Sequence, residues 1–149
     1  MDAALGRALR EGRERLEAAI LAADQAAVRQ GILALLGLGP GLTPAGDDFL
    51  TGLALVSALS GSRLGPFAGA LREVLAVHQK RTTPLSATTI AEALDGRARA
   101  SLHTLLDTLP HHDLAPARRV LAIGHTSGTD ILSGLAAGLH LERELRGSL

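Results

Sequence analysis

Every stretch of this chain that glycine and proline leave uninterrupted carries its apolar residues at helical spacing. From Asp2 to Ala23, the residues Leu5, Leu9, Leu16, Ile20 and Ala23 form one stripe, while Arg10, Glu11, Arg13, Glu14 and Glu17 supply a charged face. Leu102, Leu105, Leu106 and Leu109 repeat the pattern late in the chain. Strands need a period of two instead. Residue usage agrees, with 30 Leu and 26 Ala against ten Val and Ile, two Phe and neither Trp nor Tyr. The expected fold is all-α, a single compact multi-helix domain over residues 1–149 with about seven to eight helices.

The punctuation places the elements. Asp24 reads as the N-cap of a second helix through Val28, Ile32 and Leu35. The run Gly37-Leu38-Gly39-Pro40-Gly41-Leu42-Thr43-Pro44 excludes regular structure. Thr43 as N-cap with Pro44 at the first helical position would then start a helix reaching about Ser60. A further helix is expected over 66–80, and one capped by Ser86 runs to Leu94. Others are expected over 98–109 and 115–122, and a last one from the 123–128 loop to about Arg146.

Several function classes fall away. Fifteen basic and fifteen acidic residues cancel, so no electrostatic footprint for nucleic acid exists, and aromatic stacking partners are nearly absent. No apolar run approaches the ~20 residues of a membrane span. Without cysteine there is neither a disulfide framework nor a thiolate centre, which suits the cytoplasm. The start, Met1-Asp2-Ala3-Ala4, does not read as a signal peptide.

The chain also repeats itself. Gly46-Asp47-Asp48-Phe49-Leu50-Thr51-Gly52-Leu53-Ala54 aligns without gaps on Gly128-Thr129-Asp130-Ile131-Leu132-Ser133-Gly134-Leu135-Ala136, with six of nine positions identical. Two related halves packed about a pseudo-twofold axis would explain this, bringing both glycine loops and both aspartates toward one site. Gly52 and Gly134 lie inside helices, where glycine costs about 1 kcal/mol relative to alanine, so a close helix–helix contact is expected there, extended by Gly138.

Each loop–helix junction suits an anion, because unpaired N–H groups and the positive end of the helix dipole face the loop. The candidate binding groups are Gly39, Gly41, Thr43, Gly46 and Asp47 in the first junction and Thr126, Ser127 and Gly128 in the second. Asp48, Asp130 and His125 are the candidate catalytic groups, His125 because imidazole exchanges protons near neutral pH. Arg81, Thr82, Thr83 and Ser86 form a third polar cluster, in which Arg81 could clamp a carboxylate or phosphate. The aspartates leave alternatives open. They could cap helices, accept hydrogen bonds from an amide substrate, or hold Mg²⁺ as in a metal-dependent hydrolase. A non-catalytic assembly or regulatory module is the rival from another class.

The run from Gly37 to Leu50 resembles the signature of the bacterial AllH-like family, whose named representative is a subunit of oxamate carbamoyltransferase. Thr82-Thr83 through Ser86 to Ala93 and Gly96, and then Ile123 to Asp130, match in order and spacing, so the resemblance extends from about Leu33 to Leu139. Ala45 stands where the family usually has serine, and Thr129 where an aromatic is common. The resemblance implies that this chain corresponds to the family's C-terminal part, without the usual N-terminal region. It further implies that the chain binds carbamoyl phosphate or oxamate as one subunit among several, or as a homo-oligomer.

Overall fold

A computed structural model describes residues 2–97 and 127–147. Among them are six α-helices and no strand: α1 (Ala3–Leu21), α2 (Gln25–Leu35), α3 (Ala45–Ser57), α4 (Gly65–His78), α5 (Pro84–Leu94) and α6 (Ser127–Gly147), with a 3₁₀ turn, Gln79–Arg81, after α4. The expected helices over 98–109 and 115–122 lie outside the described residues.

The helix starts show which capping signals prevailed. Asp24 caps α2 by accepting the Ala27 N–H at 3.1 Å, as its residue type predicts. Asp2 caps α1, accepting from Ala4 at 3.1 Å. Two expected caps move. Pro44, not Thr43, is the N-cap of α3, because its extended backbone (φ −54°, ψ 149°) leaves Ala45 as the first helical residue; the helix ends at Ser57 rather than near Ser60. In α5 the cap is Thr83, which accepts the Ser86 N–H at 3.0 Å. Pro84 follows it at the first helical position, where a missing N–H costs nothing, and Ser86 is thereby moved into the first turn.

Helix α1 folds back on α2 through a turn closed by Ala23, a non-glycine residue at φ 54°. Small residues let the two helices approach, since a methyl group at Gly31 would lie 3.0 Å from the Leu16 Cα. Helix α3 runs through the centre. Every residue from Gly46 to Val56 is buried, and α2, α4, α5 and α6 pack against it. Fully buried Leu16, Ile32, Leu35, Leu50, Leu53, Phe67, Leu71 and Ile90 fill the core, each contributing roughly 1.5–3 kcal/mol.

The most extensive packing joins α3 to α6, and it is reciprocal. A methyl group at Gly52 would lie 2.3 Å from the Ile131 carbonyl oxygen; one at Gly134 would lie 2.2 Å from the Phe49 carbonyl oxygen. Phe49 and Ile131 are equivalent in the repeat, as are Gly52 and Gly134, so each half makes the same contact with the other. A methyl at Gly138 would lie 2.7 Å from Val56, its own equivalent. Because equivalent residues meet at successive positions, the helices run parallel about a pseudo-twofold axis. At the far end Glu142 fastens the α3–α4 connection. It accepts from the Ser62 hydroxyl and from the Arg63 N–H at 2.9 Å, and Arg146 lies 3.3 Å away.

Candidate functional site

Parallel packing puts the first turns of α3 and α6 at the same end of the molecule. Asp48 lies one turn before Gly52, and Asp130 one turn before Gly134. Residues four apart share a helix face, so both aspartates belong to the face along which the two helices meet. Asp48 is buried, with 3% of its surface exposed. Asp130 is half-buried, and burial raises its carboxyl pKa above the ordinary value, against the opposing pull of the Arg13 guanidinium. Two helix dipoles with their positive ends on one side offset part of the charge these carboxylates carry.

The first glycine loop is built from backbone conformations that glycine adopts freely. Gly37, Gly39 and Gly41 have φ of 79°, 121° and 90°, a region that residues with a Cβ seldom adopt. A methyl at Gly37 would lie 2.0 Å from the Arg81 carbonyl oxygen, so the loop presses directly against the 3₁₀ turn. Gly41 at the tip is exposed, with nothing within 4 Å of where a side chain would begin. Gly46 in the first turn of α3 donates to the Leu38 carbonyl at 2.9 Å and packs against the end of α2.

Asp47, which has no exposed surface, joins the loop to the third polar cluster. Its carboxylate accepts the Gly37 N–H at 2.7 Å together with the hydroxyls of Thr82 and Ser86. Three donors from two other segments thus satisfy a charge that would otherwise be costly to bury. Thr83 uses its hydroxyl twice, accepting from Ser86 and donating to the Leu42 carbonyl. Residues that the sequence presents as two separate clusters, 37–47 and 81–86, are therefore one hydrogen-bonded unit. Arg81 lies at its edge, exposed, with a long hydrogen bond of 3.4 Å to the Leu33 carbonyl.

In the second junction Gly128 is buried and Thr129 exposed, and Ser127 is the first residue of α6. His125 and Thr126 lie outside the described residues, and Thr43 is half-buried just before the Pro44 cap. Among the described residues no group of three or more His, Asp or Glu is arranged to hold a metal ion. A cavity of about 380 Å³ lies between α4 and α5, lined by Arg72, Leu75, Gln79 and Ala91 among others, and no candidate site residue borders it. Among the described residues no helix is long and apolar enough to cross a membrane.

Arg13 is the residue that pattern reading missed. Its guanidinium carbon sits 4.5 Å from the centroid of the Phe49 ring, and its charge acts on Asp130. In sequence it looks like one more charge on the solvent face of α1, and no spacing signal marks it out.

Comparison with known proteins adds one match. The model of the family described as oxamate carbamoyltransferase subunit AllH matches residues 35–139, which includes both glycine junctions. No solved structure matches the chain.

Proposed function

This chain belongs to the AllH family, and on that premise we propose that it works as a subunit of a carbamoyltransferase-type assembly. It holds a small anionic metabolite, bearing a carboxylate or a phosphate, at the shared N-terminal end of α3 and α6. The family description names an oxamate carbamoyltransferase subunit, which makes oxamate and carbamoyl phosphate the ligands to consider first. The observation that supports the reading is the reciprocal packing at Gly52 and Gly134, one turn beyond the equivalent residues Asp48 and Asp130.

Amide nitrogen is a poor nucleophile, so transfer needs an acceptor for its proton and donors for the leaving oxygen. In this reading Asp48 or Asp130 accepts the amide proton as nitrogen attacks the carbamoyl carbon. The carbon–oxygen bond to phosphate breaks, and the phosphate leaves toward the first-turn N–H groups, where negative charge is stabilised. Asp47, Thr82 and Ser86 hold the loop in shape by bonding one another. Leu42, 71% exposed at the loop tip, and Leu85, 52% exposed beside Thr83, give the neighbouring surface an apolar character that suits contact with another subunit.

The test uses the full chain titrated with oxamate and with inorganic phosphate, followed by NMR shift perturbation. Asp48→Asn should weaken oxamate binding about tenfold or more, from the loss of a charge-assisted hydrogen bond, with the helical circular-dichroism signal retained. Unaltered affinity in that variant would remove Asp48 from the site.

A further inference from the structure

We propose that the tip of the first glycine loop and the start of α5 together form the docking surface for a different subunit, one that presents an apolar recess edged by carboxylates; this rests on the subunit reading above. Leu42 at the loop tip is 71% exposed and Leu85 in the first turn of α5 is 52% exposed. Thr83 couples the two segments, since its hydroxyl donates to the Leu42 carbonyl and accepts the Ser86 N–H that starts α5. Pro40 and Pro84, beside the two leucines in sequence, are exposed as well.

A single exposed leucine on a protein surface signifies little. These two differ because the backbone beneath them is fixed before any partner arrives. Asp47 accepts the Gly37 N–H at 2.7 Å, Gly46 donates to the Leu38 carbonyl at 2.9 Å, and the Arg81 carbonyl lies against Gly37. At Gly41, by contrast, nothing lies within 4 Å of where a side chain would begin, so the tip stands clear of its own chain. A loop that is already ordered escapes the entropy cost of being ordered on binding, which suits Leu42 to be an anchor.

Charge decides the kind of partner. Across residues 36–46 and 79–87 the charged side chains are Lys80 and Arg81, both basic and both exposed. The aspartates that follow in sequence, Asp47 and Asp48, are buried. Among the described residues neither Lys80 nor Arg81 forms an ion pair, whereas Arg29, Arg72, Arg97 and Arg146 each do. The whole chain is neutral, with fifteen basic and fifteen acidic residues, so this surface holds a local excess of positive charge. Exposed leucines flanked by two unpaired cations complement an apolar recess edged by Asp or Glu. A twofold contact between two copies of the same patch would instead set like charges against each other, which disfavours self-association here.

The experiment mixes the purified full chain with the other subunits of an oxamate carbamoyltransferase and follows complex formation by sedimentation and by association kinetics. Wild type should form a complex. Leu42→Ala should weaken it about tenfold or more, the cost of withdrawing one buried leucine from a contact. The double charge reversal Lys80→Glu with Arg81→Glu should slow association about tenfold and remove most of its sensitivity to salt. These side chains are exposed, so the melting temperature should stay that of wild type in both variants. If the complex forms and both variants join it as wild type does, the surface lies elsewhere while the subunit reading stands. If the chain alone self-associates and Leu42→Ala turns it monomeric, the occupant is a second copy and the proposal fails. If wild type engages no subunit and stays monomeric, the proposal and the subunit reading fall together.

Discussion

Asp47 and Thr129 occupy the same place in two copies of one nine-residue motif, yet Asp47 is completely enclosed and Thr129 faces solvent. The surroundings of the two helices explain the difference. Helix α3 has α6 on one side and α5 on another, so position 47 points into a second interface and its carboxylate ties the glycine loop to Thr82 and Ser86. Among the described residues helix α6 has no such partner at position 129, where the threonine is exposed. What stays identical between the copies includes what the two helices require of each other: Gly52 with Gly134, Leu53 with Leu135, and the aspartates at 48 and 130. Divergence at the remaining positions follows each helix's other neighbours.

The largest effects should come from the shared positions. Gly52→Ala and Gly134→Ala each place a methyl within 2.3 Å of a carbonyl oxygen on the opposing backbone, which no side-chain rotation relieves. Each should cost about 3 kcal/mol in chemical denaturation, at the upper end of overpacking penalties. Equality is the sharper claim. A gap between the two variants of more than about 1 kcal/mol would mean that the contact is not reciprocal, and the twofold description would fail.

The unshared position should behave in the opposite way. Asp47→Ala removes the acceptor from a part-buried N–H and two hydroxyls and should destabilise the fold by roughly 2–3 kcal/mol. Thr129→Ala, at the equivalent exposed position, should stay within about 0.5 kcal/mol of wild type. Comparable losses at both sites in urea melts would show that the two junctions are built alike after all.

Local chemistry was legible in the sequence, and chemistry that crosses the fold was not. Helical spacing located α1 to α6, Asp24 declared itself as a cap, and the gap-free repeat with its two interior glycines pointed to the α3–α6 contact. The union of Asp47 with Thr82 and Ser86 spans more than thirty residues, and no periodicity encodes a hydrogen bond between a helix start and a distant turn. Thr43 and Ser86 were plausible caps by residue type, but the prolines at 44 and 84 decide the boundary through their fixed φ, one residue later in the first case and three earlier in the second. Arg13 was invisible for the plainest reason. A charged residue on an amphipathic helix looks solvated until the ring it covers is known.

The smallest expected effect separates the two aspartate roles that sequence left open. An acidic residue in a first helical turn is ordinarily stabilised by the helix dipole, and a capping Asp130 would show a lowered pKa. Burial outweighs that here, because the carboxyl pKa is raised above 3.8 despite the nearby Arg13. Between the unfolded and folded pKa values, the native state therefore holds a proton that the unfolded chain has released. Stability should fall as pH rises through that window, which opens near pH 4, and the penalty should persist at neutral pH. Asp130→Asn cannot ionise, so at pH 7 it should melt at or slightly above the wild-type temperature and lack this slope. Arg13→Met should steepen the slope, since the guanidinium is what offsets the burial. A lower melting temperature for Asp130→Asn at neutral pH would mean that the carboxylate stabilises the helix start. The equivalence of Asp48 and Asp130 would then reflect capping rather than a ligand.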